Sequence, residues 1–178
     1  MKRLSLVTCI MVLGLLLIYS GCQKKEEATK AAPEAKKEEA AKAGPMADGK
    51  AIWTYLKEID YTKLPMWPGK EAFYPGKEPH GALLTTYVNE TALNDIQGKK
   101  GTLSAGSIIV KENYMPDKKL AAVTVMYKVA GYNPEAADWF WAKYAPDGNI
   151  EAEGKATACI SCHGQKKDND YIMTGALK

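Results

Sequence analysis

The sequence predicts an α+β domain: mainly an antiparallel sheet of about five strands, with flanking helices and a short helix close to the C-terminus. Three observations carry this. GSIIVKENY and LAAVTVMYKV are β-branched and alternate in polarity, and MPDKK between them is a turn with Pro at its second position, so the pair reads as a hairpin. GKAIWTYLKEI spaces Ile52, Tyr55, Leu56 and Ile59 as one face of a helix. PDGN is a strong turn signal between an aromatic strand and a final short one.

In chain order, the first helix covers residues 49–59. The stretch LPMWPGKEAFYPGKEPH is too rich in Pro and Gly for regular structure. ALLTTYVN is a strand. NETALNDIQG is a short helix with Asn89 as its N-cap and Gly98 as its stop. The hairpin follows, then the strand ADWFWAKYA, the turn PDGN and the short strand IEAEGK. In the first hairpin strand, alternation puts Ile109, Lys111 and Asn113 on one face and Ile108, Val110, Glu112 and Tyr114 on the other. The segment containing Cys159 and Cys162 closes the chain as a helix. No internal repeat is visible.

The N-terminal segments have a different character. Residues 1–21 start with Met-Lys-Arg and continue into an apolar run, which reads as an export signal. IYSGC resembles a bacterial lipobox, with Tyr19 where Leu is usual, so Cys22 becomes the lipidated first residue of the mature protein. An uncleaved anchor and a plain secretory signal are the alternatives, and all three put the domain outside the cytoplasm, in the periplasm or cell envelope. Residues 22–47 are Lys, Glu and Ala with hardly a large apolar side chain, and so stay solvated as a tether. Extended, residues 23–45 reach roughly 80 Å at ~3.5 Å per residue. The folded domain is then residues 48–178, and its contact with a membrane runs through the lipid anchor alone.

A net charge of +3 is too small to imply a nucleic-acid partner. Of the four cysteines, only Cys159 and Cys162 lie in the domain, too few for a disulfide scaffold. They form Cys159-Ile-Ser-Cys162-His163, a C-x-x-C-H. Thiols at i and i+3 of a helical turn lie on one side and reach the two vinyl groups on one porphyrin edge. His163 then places its imidazole under the iron as the proximal ligand. This is the signature of covalent haem c attachment, one haem per chain, and export suits it. Zinc needs about four ligands, and adjacent Cys162 and His163 make a poor pair for one ion. A thioredoxin-like pair belongs at the start of a helix after an early strand, and a structural disulfide needs no histidine.

The motif stands late in the sequence, so the rest of the haem pocket comes from upstream, from the sheet. The only other histidine, His80, is the distal candidate for iron ligation; its alternative role is that of a surface residue at the start of a strand. Met115 and Met126 are the methionine alternatives, with Met126 more suited to core packing, and the one methionine after the motif, Met173, is only ten residues on.

The blocks HGALLTTYVN, GSIIVKENY, VTVMYKVAGYNPEAADWFWAKYAPDG and CISCHGQKKDNDYIMTG together resemble the cytochrome P460 family, which includes the β-sheet cytochromes c′. The resemblance covers roughly residues 79–175. It implies a mostly antiparallel β fold, usually a homodimer, with a five-coordinate haem whose proximal ligand maps onto His163. Cytochromes P460 oxidise hydroxylamine and handle nitric oxide, and carry a bond between a lysine and the porphyrin edge. The matching lysine is Lys111, in IIVKEN. The β-sheet cytochromes c′ lack that bond, cap an apolar distal pocket with aromatic rings and bind gases.

Three functions follow as expectations. The first is an oxidoreductase acting on hydroxylamine or nitric oxide and passing electrons to a periplasmic protein, with Lys111 as its catalytic residue. A proton acceptor would come from Glu112, Glu151 or Glu153. The second is a gas-binding protein without turnover. The third is tethered electron transfer with His80 or a methionine as the sixth ligand.

Overall fold

The computed structural model describes residues 44–178. The expected export signal and nearly all of the tether lie outside the described residues. Six strands form one antiparallel sheet in simple chain order, β1 (Tyr74–Pro75), β2 (Leu83–Val88), β3 (Ile108–Tyr114), β4 (Leu120–Lys128), β5 (Trp139–Tyr144) and β6 (Ile150–Gly154). Among the described residues three α-helices accompany it: α1 (Gly49–Ile59), α2 (Glu90–Gln97) and α3 (Thr157–His163). The α+β expectation holds, with one strand more than expected. That strand, β1, is two residues of the Pro-rich stretch, paired as Tyr74 with Leu84 and Pro75 with Leu83. Proline is tolerated there because an edge strand leaves one side of its backbone unpaired.

Each face of the sheet packs its own core. On one face Ile108, Val110, Val123, Val125, Phe140 and Tyr144 meet Ile52, Tyr55 and Leu56 of α1. Ile52 and Leu56 are fully buried, each contributing about 2 kcal/mol by removing its side chain from water. Asp48 caps α1 by accepting from the Ala51 N–H, and Asp60 ends it in a left-handed conformation. The far end of the sheet pins the helix start: the Gly49 N–H donates to Glu153 at 2.7 Å, and the Tyr144 hydroxyl donates to the Gly49 carbonyl at 2.8 Å.

On the other face Ile109, Met126, Trp139 and Trp141 meet α2, the segment after α3, and Trp67. Cys159 and Ile160 of α3 pack against this cluster. Asn89 does more than cap α2. Its Oδ1 accepts from Ala92 and from Ile108 at the start of β3, and its Nδ2 donates to the Gly106 carbonyl. The side chain thus ties the helix start to the strand that carries Lys111.

Candidate functional site

The second face receives the C-x-x-C-H segment through Cys159, Ile160 and His163. Cys159 and Cys162 are free thiols, half-buried on α3. Burial pushes the Cys159 thiol up. His163 ends α3 and is buried. Its ring packs edge-on against Trp141 at 4.7 Å between centroids.

The His163 ring is aimed by the chain that follows it. Asp170 and Tyr171 are consecutive left-handed residues, at φ 54 and 64, and they turn the backbone so that the Tyr171 carbonyl accepts from His163 Nδ1 at 2.8 Å. A carbonyl only accepts, so Nδ1 carries the proton and Nε2 keeps its lone pair. Four contacts fix that turn. The Trp139 indole donates to the Asp170 carbonyl at 2.9 Å, and the Tyr171 hydroxyl to the Glu135 carbonyl at 2.9 Å. The Asp170 carboxylate accepts from Lys128 at 2.5 Å and from the Leu103 N–H at 2.8 Å. Asn169 holds the tail by donating to the carbonyls of Ile172 and Gly175 and accepting from the Leu177 N–H. The sequence reading did not single out Asp170, Tyr171, Trp139 or Asn169. The Asp-Asn-Asp run after the motif was the available signal, because Asn and Asp accept left-handed backbone and bond to nearby amides.

Lys111 lies in the middle of β3, 9% exposed. It stands in a row with Thr86 and Thr124 of the neighbouring strands, and Thr124 pairs in turn with Lys143. Among the described residues no carboxylate or hydrogen-bond acceptor holds its ammonium. Burial, reinforced by the charge of Lys70, pulls its pKa down to about 8. Lys111 in turn lowers the proton affinity of both His80 and His163, each already lowered by burial, with His80 falling to about 4. Lys111 shares its face of β3 with Asn113, the residue that meets His80.

His80 is half-buried just before β2, where its Nδ1 meets Asn113 Oδ1 at 2.8 Å. The loop comes this close because residue 81 is glycine: a Cβ there would lie 2.5 Å from the backbone N and O of Tyr114. The centroids of the His80 and His163 rings are 6.2 Å apart, with their planes at 86°. The methionines are less well placed. Met115 and Met173 are about half exposed, and Met126 is buried in the core with Ile109 and Trp141.

Of the three proton-acceptor candidates only Glu151 reaches the edge of this face, through Lys143 in the row of Lys111. Glu112 points to the α1 side, where the hydroxyls of Tyr61, Tyr87 and Tyr114 all donate to it. Strand alternation alone separates it from Lys111. Glu153 caps α1, and Glu151 pairs with Lys143 at 2.8 Å. Of the two phenylalanines, Phe140 lies in the α1-side core and Phe73 packs on Tyr114, so the aromatic ring that meets His163 is a tryptophan.

The donor set fits a haem better than it fits a bare ion. Two thiols sit one helical turn apart beside an imidazole with a free Nε2. The Trp141 indole N–H, packed on that imidazole, is buried without a partner, which a group bringing its own acceptors would satisfy. Among the described residues no three of His, Cys, Asp and Glu converge as a metal site, which leaves zinc without its ligands. Comparison with curated proteins finds no match. The family model for cytochrome P460 matches residues 60–174, from the end of α1 through the turn that aims His163, and the chain belongs to the cytochrome P460 family of c-type haem cytochromes.

Proposed function

We propose that this is an exported mono-haem cytochrome, with haem held covalently by Cys159 and Cys162 and axially by His163, that acts on small nitrogen compounds such as hydroxylamine or nitric oxide. Electrons leave to a periplasmic acceptor protein. The reading of residues 1–47 supports a lipid anchor at Cys22 and a long charged tether, and the family supports a homodimer. Haem, when bound, supplies a redox-active iron and a conjugated ring that carries electrons to its edge. The chain's own residues orient and tune it. The hydrogen bond from His163 Nδ1 to Tyr171 fixes the ring and makes Nε2 a stronger donor.

Lys111 is the observation that carries the reading. A buried lysine without an acid partner costs stability, and it persists where something else uses it. With its pKa drawn down to about 8, a usable share of the amine is unprotonated near neutral pH and therefore nucleophilic. We assign to it the bond to the porphyrin edge that hydroxylamine-oxidising members of the family carry; the amine N–H and the ring C–H it replaces leave as two protons and two electrons, which an oxidant of the peroxide class takes up.

A second reading, gas binding without turnover, is favoured by the carboxylates. Glu112 and Glu153 are committed to the α1 side, and Glu151, which reaches the row of Lys111, is ion-paired with Lys143, so no glutamate that the sequence offered as proton acceptor is left unpartnered. One preparation separates the readings: the full chain expressed with haem-maturation machinery, digested, and its haem peptides weighed. The oxidase reading expects haem joining the Cys159 peptide to the Lys111 peptide, and hydroxylamine-dependent reduction of an added acceptor. Haem on Cys159 and Cys162 alone, with no turnover, selects gas binding. Haem that remains covalently bound after Cys159→Ala and Cys162→Ala in a Lys111→Met background refutes the attachment.

A further inference from the structure

Among the described residues neither histidine has a hydrogen-bond partner at Nε2. For His163 the Tyr171 carbonyl decides it. For His80 the decision runs through Asn113. The Asn113 amide nitrogen donates to the backbone carbonyls of Lys111 at 3.0 Å and Ala122 at 3.2 Å, and to Thr124 Oγ1 at 3.2 Å. Turned over, the amide would set its oxygen against two carbonyl oxygens, so its orientation is fixed by the strand around it. The oxygen that remains faces His80, and His80 Nδ1 must donate to it. His80 Nε2 is thereby left as a lone-pair donor, with no hydrogen-bond partner among the described residues. Metal-binding histidines are oriented in this way, one ring nitrogen donating to an anchored acceptor so that the other is free to ligate.

The spacing agrees. Two imidazoles on opposite sides of one metal ion, each nitrogen at about 2 Å, put their ring centroids roughly 6 Å apart. The observed separation is 6.2 Å. Each ring can turn about its own metal–nitrogen axis, so the 86° between their planes is compatible with opposed ligands. Both anchors are rigid: Asn113 is 3% exposed within β3, and the Asp170–Tyr171 turn is bonded on several sides.

We propose that His80 is the sixth ligand of the haem iron in the resting protein, held in place by Asn113, and that a small exogenous ligand must displace it. This rests on the haem attachment proposed above and departs from the open sixth position that the family resemblance implied. Substrate access then becomes a competition with an internal imidazole whose loop, residues 76–82, carries no regular secondary structure.

The test uses the haem-loaded full chain. Covalent haem is first established by the mass of the Cys159–Cys162 peptide. The ferric protein is then examined by visible absorption and low-temperature EPR. The proposal expects a six-coordinate, low-spin iron, with the anisotropic EPR signal of near-perpendicular imidazole planes. His80→Ala should turn it high-spin, and added imidazole should restore the low-spin form. Carbon monoxide binding to the ferrous wild type should level off as the gas concentration rises, because release of His80 limits it. In His80→Ala the rate should stay proportional to concentration. A wild-type protein with covalent haem and a high-spin iron overturns the proposal while leaving the attachment intact. So does a His80→Ala variant that remains low-spin without imidazole. A wild type that carries no covalent haem overturns the attachment and this inference with it.

Discussion

Lys111 and Glu112 are neighbours on β3, similarly buried, and face opposite sides of the sheet. Glu112 receives three tyrosine hydroxyls, at 3.0, 3.2 and 2.6 Å. Lys111 receives nothing among the described residues. On the α1 side every buried charge is answered from within the chain, and that face can be complete as it stands. The α3 side keeps an unanswered lysine, an orphaned indole N–H and two imidazoles with bare Nε2 atoms. A burial that costs free energy on one face and not on the other marks the face built around something that the chain does not itself contain.

The largest way to break the α3 face is from its rear. Asp170 is the acceptor for Lys128 and for the Leu103 N–H, with side-chain exposures of 2% for Asp170 and 12% for Lys128. Asp170→Ala strands a buried ammonium, and such losses cost about 3–5 kcal/mol. Urea denaturation should show a loss of that order. The haem-loaded variant should also shift its reduction potential, because the Tyr171 carbonyl that bonds His163 loses its mooring. A variant with unchanged stability would mean that Lys128 finds another acceptor.

Lys111→Met should act in the opposite direction. Its pKa falls from 10.5 to about 8 on folding, so the charged form is penalised in the folded state by about 3 kcal/mol at ~1.4 kcal/mol per unit. The sign follows from proton counts. Below pH 8 both states hold the proton and the fold carries the whole penalty. Between pH 8 and 10.5 the unfolded chain binds more protons than the folded one, so stability rises with pH. Where mass shows the Lys111 amine to be free, wild-type stability should climb across that window. Lys111→Met should be the more stable protein below pH 8, with the difference fading by pH 10.5. A constant difference from pH 7 to 11 would place the lysine head in water.

Most of the scaffold was legible in the sequence because its signals are local. Helical spacing and the Asp and Asn caps mark α1 and α2, alternation sorts Ile109, Lys111 and Asn113 from Ile108, Val110 and Glu112, and PDGN marks the last hairpin. β1 was not legible, because its pairing depends on β2 and not on its own Pro-rich composition. At the site, Cys159, Cys162 and His163 are read from spacing alone. The roles of Glu112, Glu151 and Glu153 were not, since a carboxylate's partner is chosen by tertiary packing. Nor was the relation of His80 to His163, which needs Gly81 flush against Tyr114, Asn113 held by its strand, and two left-handed residues at Asp170 and Tyr171.

The smallest effects sharpen the α1 side. Tyr61 alone donates to Glu112 Oε1, whereas Tyr87 and Tyr114 share Oε2. The two oxygens are thus unequally protected. Tyr61→Phe leaves Oε1 buried and bare, which for a bond to a charged acceptor costs about 1.5–3 kcal/mol. Tyr87→Phe removes the longest of the three bonds while Tyr114, at 2.6 Å, still covers Oε2, so its cost stays near the ~0.5–1 kcal/mol of an ordinary hydrogen bond. Burial and the Glu112 charge also push the Tyr87 hydroxyl up to about 12, which keeps it protonated and donating in the wild type and in Tyr61→Phe. Denaturation midpoints should therefore rank wild type above Tyr87→Phe and Tyr87→Phe above Tyr61→Phe, with the same haem spectrum in all three. A spectrum that moved with Tyr61→Phe would show the two faces to be coupled through β3, and Glu112 would then belong to the site after all.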